Sequence, residues 1–391
     1  MDIPTLRAET PATANLIHFN NAGAALMPDP VFRAMTDHLE RERTLGGYEA
    51  ARLAQPQLDS FYTEFAALLN CAPAEIAYTE NATRAWDMAF YALPLAAGDR
   101  ILTHASEYVS NYLAFLQQAN RRGLHIDLVP SDPTGQIDVT ALDAMVTPAH
   151  KLIAITHVPS QGGMVNPAAA VGAIARKHGL IYLLDACQSV GQIDVDVQAI
   201  GCHILSGTGR KFLRGPRGTG FLYVSNAIVE TLDPPFIDLT AATWTADNTY
   251  TLAPGARRFE NWESNVAGRI GLARAVAYAR SIGLTAIEAR TTALAAHLRR
   301  ALAQLPGITV HDLGQHKSGI VTFTHARLDA AHLHAALRER GVNTSVTPRT
   351  YALLDLGPRG IDAMVRASVH YYNTEDEVTR FTATLKTLID P

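Results

Sequence analysis

The sequence predicts an α/β protein: a large domain with a mainly parallel central sheet flanked by helices, and a smaller α+β domain at the C-terminal end. Two observations predict the large domain. Strand-like and helix-like segments alternate from about residue 60 to 225, and the run over 180–184 is apolar throughout. Such a run is typical of a strand that is buried on both faces, as in a parallel sheet. A change to long helical segments after about residue 265 predicts the second domain.

Each element is predicted from its own pattern. Helices, in which apolar residues recur every three or four positions, are expected over 59–69, 82–93, 111–121, 139–145, 168–178, 268–281 and 285–305. Strands, as short apolar runs between turn signals, are expected over 75–79, 100–104, 125–129, 152–157, 180–184 and 220–224. Because strands that alternate with helices are joined by crossovers, they are expected to pair in parallel.

Composition limits the classes of function. The chain has 391 residues, 48% of them hydrophobic, which favours two domains and a large core. A net charge of −4 without a basic stripe argues against nucleic acid as a partner. The N-terminus shows no signal-peptide pattern, and no apolar run approaches the roughly 20 residues that span a bilayer. Three scattered cysteines form neither a disulfide framework nor a metal motif. We expect a cytoplasmic protein without a membrane or metal partner.

Lys211 is the first candidate for chemistry. The chain has only five lysines against twenty-eight arginines. Lys177 ends a predicted helix, Lys151 and Lys317 precede strands, and Lys386 lies in the last amphipathic segment. Lys211 instead lies between glycine-rich turns, where the backbone can approach a ligand closely. A lysine held there is a candidate Schiff-base nucleophile.

Asp185 is the second candidate. It follows the buried strand 180–184, and open α/β sheets bind ligands at the carboxyl ends of their strands. A lysine that forms an imine, with an acid that keeps the pyridine nitrogen protonated, is the pair that pyridoxal phosphate (PLP) requires. On the residues alone, a buried ion pair of Asp185 with Lys211 explains the pattern equally well.

A set of segments then shows a resemblance that is specific through its order and spacing. The segments are 18–28, 78–83, 107–111, 155–158, 185–188, 208–211, 259–265, 318–323 and 365–374. On these residues the chain resembles the class V aminotransferase and cysteine desulfurase group of fold-type I PLP-dependent enzymes. The resemblance implies PLP as cofactor, a small amino-acid substrate and a homodimer. We expect an N-terminal segment (1–20) that packs on the small domain, a large PLP-binding domain (21–265) and a small C-terminal domain (266–391).

The resemblance also implies the residues that bind the cofactor phosphate. Ala82 and Thr83 open a helix after a strand, so their N–H groups and the Thr83 hydroxyl suit the phosphate. The alternative for Thr83 is a plain N-cap. Thr208 and Arg210 stand where the family usually has serine and histidine, and both still suit an anion. Asn265 is expected to approach the neighbouring active site across a dimer interface.

Around the cofactor ring, the resemblance assigns three residues. Lys211 and Asp185 keep the roles given above. Tyr108 occupies the position of the family's stacking histidine; it can stack on the pyridine ring but supplies no imidazole that titrates near neutral pH. Gln188 matches the donor to the phenolate oxygen, and its alternative is simple solvation of a strand end.

The substrate residues are implied in the same way. Arg366 matches the family's carboxylate-binding arginine, and a guanidinium can grip a carboxylate with two hydrogen bonds. Arg349 is a second candidate for the anionic end of the substrate. Ser160 or Gln161 falls where the family often has a substrate-contacting asparagine, and Ala24 lies in the first matching segment.

One departure from the family pattern decides the predicted reaction. Cysteine desulfurases carry a nucleophilic cysteine shortly before the carboxylate-binding arginine, but residues 342–352 contain none. We therefore expect a C–S lyase that acts by β-elimination on an S-substituted cysteine and releases pyruvate and ammonia. Residues 46–48, 107–108, 210–211 and 214–218 resemble the hercynylcysteine sulfoxide lyase and isopenicillin N epimerase-like members.

Two alternatives remain open. An aminotransferase or amino-acid epimerase would use the same lysine, because PLP chemistry is common to all three reactions. A non-catalytic PLP-binding or regulatory protein is the third possibility. Such proteins usually carry an additional DNA-binding segment, and this sequence shows no spare length for one.

Overall fold

The computed structural model of the chain describes residues 1–389. Its strands are β1 (Ile17–His18), β2 (Ile76–Thr79), β3 (Arg100–His104), β4 (His125–Val129), β5 (His150–Thr156), β6 (Ile181–Asp185), β7 (Ile204–Thr208), β8 (Gly220–Val224), β9 (Ala242–Ala246), β10 (Thr249–Leu252), β11 (Ile308–Val310), β12 (Ile320–His325), β13 (Val342–Asn343), β14 (Ser345–Pro348) and β15 (Ala363–Ser368). Its α-helices are α1 (Ile3–Ala8), α2 (Asn21–Ala24), α3 (Asp29–Leu45), α4 (Gly47–Leu53), α5 (Gln55–Leu69), α6 (Ala82–Tyr91), α7 (Val109–Arg122), α8 (Val139–Met145), α9 (Ala168–His178), α10 (Val197–Ile200), α11 (Val266–Ile282), α12 (Leu284–Ala303), α13 (Ala330–Glu339), α14 (Leu353–Leu356) and α15 (Glu375–Ile389).

The central sheet has seven strands in the order β2-β8-β7-β6-β5-β3-β4. Five of them, β7, β6, β5, β3 and β4, pair in parallel, and β8 is antiparallel to both β7 and β2. The predicted fold class, a mainly parallel sheet flanked by helices, is confirmed.

Both faces of this sheet are covered, which explains the continuous apolar run in β6. Tyr182 and Leu184 belong to one buried cluster together with residues of α5, α9 and α11. Leu183 belongs to the opposite cluster, which includes residues of α6 and α7. Successive residues of a strand point to opposite faces, so a strand that is covered on both sides needs apolar residues throughout.

Strand β7 was not predicted, because the sequence before Lys211 indicates a glycine-rich turn rather than a strand. In the sequence of β7, Ile-Leu-Ser-Gly-Thr, only the first two residues are large and apolar. Gly207 is nonetheless required within the strand. A Cβ added there would lie 2.2 Å from Cζ of Phe221 on β8, so only glycine lets this ring pack across the sheet.

The C-terminal part contains a four-stranded sheet in the order β11-β12-β15-β14, with every neighbouring pair antiparallel. Residues of α12, α13 and α15 form a buried cluster with its strands. The N-terminal strand β1 pairs with β13, with Ile17 opposite Val342. The division of the chain at residues 20 and 265 stays a prediction.

Within residues 1–389, no single helix has both the length and the apolar composition to cross a membrane; the sharply bent pair α11–α12 meets both criteria when its two helices are taken together.

Candidate active site

The carboxyl ends of β5, β6 and β7 meet at one edge of the central sheet, since these strands are parallel neighbours. A cavity of about 250 Å³ lies at this edge. Its lining residues are Asn81, Ala82, Thr83, Tyr108, Thr156, Val158, Ser160, Asp185, Cys187, Gln188, Arg210 and Lys211. The position agrees with the rule that α/β sheets bind ligands beyond the carboxyl ends of their strands.

Lys211 is only 8% exposed, and its Nζ makes no hydrogen bond or ion pair within the described residues 1–389. The amines of Lys151, Lys177 and Lys317, in contrast, each contact an oxygen of a neighbouring residue. Burial lowers the pKa of Lys211 because it disfavours the charged form. Lys211 therefore presents an unpaired amine with an increased neutral fraction, which is the nucleophilic form.

The turn that carries Lys211 is anchored by Arg214. The Arg214 N–H donates to the Lys211 carbonyl at 2.9 Å. Arg214 has a φ of +60°, a left-handed conformation that costs a non-glycine residue about 1–2 kcal/mol. Its buried guanidinium offsets this cost by donating to the Leu26 carbonyl (2.8 Å), the Tyr371 hydroxyl (2.7 Å) and the Thr10 hydroxyl (2.6 Å). The N-terminal and C-terminal segments thus hold the lysine turn in place, a role that the sequence did not indicate.

Asp185 is buried at the end of β6 without a cationic partner. Its Oδ1 accepts the Cys187 N–H at 2.9 Å, and its Oδ2 accepts the Asn111 side-chain amide at 2.9 Å. Among residues 1–389 there is no ion pair of Asp185 with Lys211 within 4.0 Å. The alternative that the two side chains form a structural ion pair is therefore wrong.

Glu107 is a second buried acid beside Asp185, and no role was predicted for Glu107. Its Oε1 accepts the Tyr108 N–H (2.8 Å), the Asn111 amide (2.8 Å) and the Thr156 hydroxyl. Burial, and then the nearby charge of Asp185, raises the pKa of Glu107 to about 7. The signal that could have found it is the one used for Asp185: an acid shortly after a buried strand, here β3.

The first turn of α6 forms one end of the cavity. Asn81 caps this helix, its Oδ1 accepting the Arg84 N–H at 2.9 Å, so the alternative of Thr83 as the N-cap is wrong. Ala82 and Thr83 are the first helical residues and line the cavity. The backbone of β8 packs tightly under this turn, since a Cβ on Gly220 would lie 2.7 Å from the Asn81 carbonyl carbon.

Arg210 adds a positive charge to the same cavity. One of its guanidinium nitrogens donates to the Thr208 hydroxyl at 3.0 Å. Thr208 ends β7 and is itself buried. A helix N-terminus and a guanidinium that share one cavity make an anion-binding arrangement.

Two more expected residues, Tyr108 and Gln188, belong to the cavity wall, and a third, Arg366, contacts the lining residue Ser160. Tyr108 and Gln188 line the cavity. The Gln188 amide nitrogen donates to the Ala22 carbonyl at 3.0 Å, and its buried oxygen has no partner among the described residues. Arg366 donates to the Ser160 carbonyl at 2.9 Å; its Nε is buried without a partner within residues 1–389, and burial lowers its pKa to about 10. Its surroundings therefore leave hydrogen-bonding capacity for a ligand.

Six residues expected at the site do not line the cavity; two of them, Thr208 and Arg366, are described above, and the others are Arg349, Gln161, Ala24 and Asn265. The Arg349 guanidinium pairs with Asp362, and its Nε donates to a backbone carbonyl at 3.2 Å. Gln161 is buried and donates to the Ser106 carbonyl at 3.3 Å. Ala24 ends α2, and its carbonyl accepts a hydrogen bond from the His18 ring. Asn265 caps α11. Of the two arginines considered for the substrate, Arg366 is the one that contacts a lining residue, through its hydrogen bond to Ser160.

These residues fit PLP. The cavity combines an unpaired buried amine (Lys211), a carboxylate without a cation (Asp185) and an amide oxygen that lacks a partner (Gln188). An anion-binding end formed by α6 and Arg210 completes the arrangement. Each feature matches a group of the cofactor: the aldehyde, the ring nitrogen, the phenolate and the phosphate.

Comparisons with known proteins agree with this geometry. The family model described as aminotransferase class-V matches residues 17–381. The chain is similar to a probable cysteine desulfurase of Xylella fastidiosa (strain 9a5c), with 34% identity over 95% of this chain and 90% of the relative. The apo structure of a cysteine desulfurase from Thermococcus onnurineus NA1 has 27% identity and a TM-score of 0.93, covering 100% of this chain and 98% of that one.

A further solved structure shares the fold at lower identity. It is a complex of the cystine C–S lyase C-DES with its reaction product, cysteine persulfide. Its TM-score is 0.87 at 24% identity, covering 96% of this chain and 99% of that one.

Proposed function

The chain belongs to the class-V aminotransferase family, and from this premise we propose that it is a PLP-dependent C–S lyase. Its substrate is an S-substituted cysteine, from which β-elimination releases a thiol or sulfenate, pyruvate and ammonia. The observation that carries the proposal is the absence of cysteine from residues 342–352. The relatives named above as cysteine desulfurases and the cystine C–S lyase support carbon–sulfur cleavage as the class of reaction.

The geometry of the cysteine-free segment strengthens this observation. β14 is the neighbour of β15, and Ser345 stands opposite Arg366 in the register of the two strands. A serine at this place cannot accept sulfur as a persulfide. Cys187 lines the cavity, but burial and the nearby Asp185 charge raise the pKa of its thiol far above the usual value, so it is protonated and a poor nucleophile. The sulfur of the substrate therefore leaves with its own substituent.

We assign the cofactor contacts to residues around the cavity. With PLP bound, Lys211 would hold its aldehyde carbon, Asp185 would keep a proton on the ring nitrogen, and Tyr108 would pack against the ring. Ala82, Thr83, Thr208 and Arg210 would bind the phosphate, and Gln188 would contact the phenolate oxygen. When bound, PLP supplies an electron sink for the charge that develops at the substrate Cα.

Two residues act on the substrate, one by binding its carboxylate and one by removing its α-proton. Arg366 binds the α-carboxylate through a guanidinium fork, which orients the amino acid and disfavours neutral amides. Once the amine of the substrate has taken the place of Lys211 on the cofactor, the freed Lys211 amine, whose pKa burial lowers, would remove the proton from Cα. The bond from Cβ to sulfur then breaks, the sulfur leaves with the bonding electrons and takes up a proton, and one water molecule supplies the oxygen of pyruvate.

The test is pyruvate release from a panel of thioethers, sulfoxides and disulfides of cysteine, with free cysteine included. We expect pyruvate and ammonia in equal amounts from at least one substituted cysteine, and no protein persulfide from free cysteine. The Lys211→Ala variant serves as the inactive control. Transfer of the amino group to a keto acid without cleavage of any carbon–sulfur bond would instead support the aminotransferase alternative.

A further inference from the structure

The two buried acids of the site, Glu107 and Asp185, are joined by one side-chain amide. Nδ2 of Asn111 donates to Oε1 of Glu107 at 2.8 Å and to Oδ2 of Asp185 at 2.9 Å. Both of its hydrogens are used, one on each carboxyl group. The three residues come from the segment after β3, from α7 and from β6, so this bridge connects elements that are far apart in sequence.

Every strong donor to Glu107 reaches the same oxygen. Oε1 accepts from the Tyr108 N–H, the Asn111 amide and the Thr156 hydroxyl, whereas Oε2 has only the Thr103 hydroxyl at 3.4 Å. Such bonds favour the ionised form, and burial opposes it. Glu107 is therefore held between its two protonation states near neutral pH.

The charge that acts on Glu107 is that of Asp185. The other titratable groups of the surrounding elements are neutral: burial lowers the pKa of His104 on β3 and of His157 after β5 to about 4, and raises the pKa of Tyr182 on β6 well above its usual value. The other groups on this side are the phenols of Tyr108, of Tyr112 on α7 and of Tyr351 beyond β14. Cys187, Arg210 and Lys211 line the cavity with Asp185. No lysine or arginine among residues 1–389 forms an ion pair with Glu107.

We propose that Glu107 is a positioning residue for the lyase reaction. Through the Asn111 amide it fixes the orientation of the Asp185 carboxylate, and its own negative charge favours the proton that Asp185 holds on the ring nitrogen of PLP. A nearby negative charge stabilises a cation, so the two acids together favour the protonated ring more than Asp185 alone. This inference rests on the proposed function and adds a group that it does not otherwise use.

Glutamine at position 107 removes the charge and keeps the hydrogen bonds. Its carbonyl oxygen can take the place of Oε1 and accept from the same three donors. Its NH2 group then takes the place of Oε2 and can donate to the Thr103 hydroxyl. A change in Glu107→Gln can therefore be attributed to the charge.

The experiment measures the protonation of the cofactor directly. PLP labelled with 15N at the ring nitrogen is bound to the wild type and to Glu107→Gln, and the 15N chemical shift is followed from about pH 6 to about pH 9. We expect the ring nitrogen to lose its proton at a pH lower by about 1 unit in Glu107→Gln. Equal titration of the two proteins, or a ring that stays protonated over the whole range in both, would overturn the inference.

Two further variants serve as controls for the titration of Glu107→Gln. Thr156→Val removes one donor to ionised Glu107, so it should shift the titration in the same direction by less, and should add nothing in the Glu107→Gln background. Glu75→Gln replaces another buried glutamate, which accepts backbone N–H bonds away from the cavity, and should titrate like the wild type. A wild type that binds no PLP through Lys211 would mark the failure of the proposed function instead.

Discussion

At the scale of single residues, burial acts on Lys211 and Glu107 in the same sense, because it removes charge from both. For Lys211 the neutral amine is the form that attacks a carbonyl carbon. For Glu107 the neutral acid is the less costly form when the cavity is empty, and its ionisation has to be stabilised by donors and by a bound cation. Groups with perturbed pKa values of this kind concentrate at functional sites.

The position of Lys211 gives the first residue-scale prediction. Borohydride reduction of the PLP-loaded protein should attach the pyridoxyl group to the peptide that contains Lys211. Lys211→Ala should lose both the label and the yellow colour. Lys177→Ala is a suitable control, since Lys177 is surface-exposed and paired with Asp143. A label on Lys151 or Lys177 would contradict the assignment of the whole site.

Glu107 gives the second residue-scale prediction. Its pKa is about 7 in the folded chain against an ordinary value of 4.5. Between these values the folded chain binds more protons than the unfolded chain, so the contribution of Glu107 to stability falls as the pH rises. Glu107→Gln lacks this loss. In the cofactor-free protein, the free energy of unfolding of the variant relative to the wild type should therefore increase by about 3 kcal/mol from about pH 4 to about pH 8.

Urea unfolding at the two pH values measures this difference. Glu75→Gln, at a buried glutamate away from the cavity, corrects for the general effect of replacing an acid by an amide. Free energies of unfolding of wild type and Glu107→Gln that stay parallel across the range would show that Glu107 is not protonated in the folded chain.

At the scale of elements, local patterns predicted most of the large domain. The bounds of β4, α8, α9 and β8 were predicted correctly, because their apolar periodicity ends at clear turn signals. β7 was missed because three of its five residues are small or polar. The antiparallel direction of β8 could not be predicted either, since the 209–219 connection holds no helix that would mark or exclude a crossover.

At the site, too, residues with a local sequence signal could be predicted, and residues placed by distant contacts could not. Lys211 and Asp185 could be found because each has a local signal, a glycine-rich turn and a strand end. The bridge from Glu107 through Asn111 to Asp185 depends on contacts across 74 positions, and the bond from Arg214 to Thr10 spans 204. Such contacts are set by the packing of whole elements, which no local pattern encodes.

The contact of β8 with α6 supplies the element-scale prediction. Gly220→Ala would place a Cβ 2.7 Å from the Asn81 carbonyl carbon and push the first turn of α6 away from the sheet. Overpacking of this kind costs about 1–3 kcal/mol, so we expect PLP affinity to fall by about tenfold or more in a titration followed by absorbance. Gly47→Ala, where nothing lies within 4 Å of the added Cβ, should bind like the wild type. An unchanged PLP affinity in Gly220→Ala would show that the first turn of α6 does not bind the phosphate.

At the scale of the whole molecule, large apolar side chains are exposed in one part of the sequence. Trp244 is 80% exposed, and the others between residues 236 and 262 are Phe236, Ile237, Leu239, Tyr250 and Trp262. Arg84 of α6 lies over the Phe236 ring at 4.9 Å, which connects this surface to the phosphate end of the cavity. Thr83 at that end and the nearby cap Asn81 are themselves exposed. An exposed apolar surface beside an open site favours coverage by another protein surface.

We therefore predict a homodimer in which the partner subunit covers the surface formed by residues 236–262 and closes the phosphate end of the cavity. Sedimentation of the wild type should give a dimer. Trp244→Ser should weaken the dimer and lower PLP affinity together, because the same contact would serve both. Leu128→Ser, at an exposed leucine of the edge strand β4, should change neither. A wild-type monomer that binds PLP with full affinity would contradict the prediction, since the cavity would then be complete within one chain.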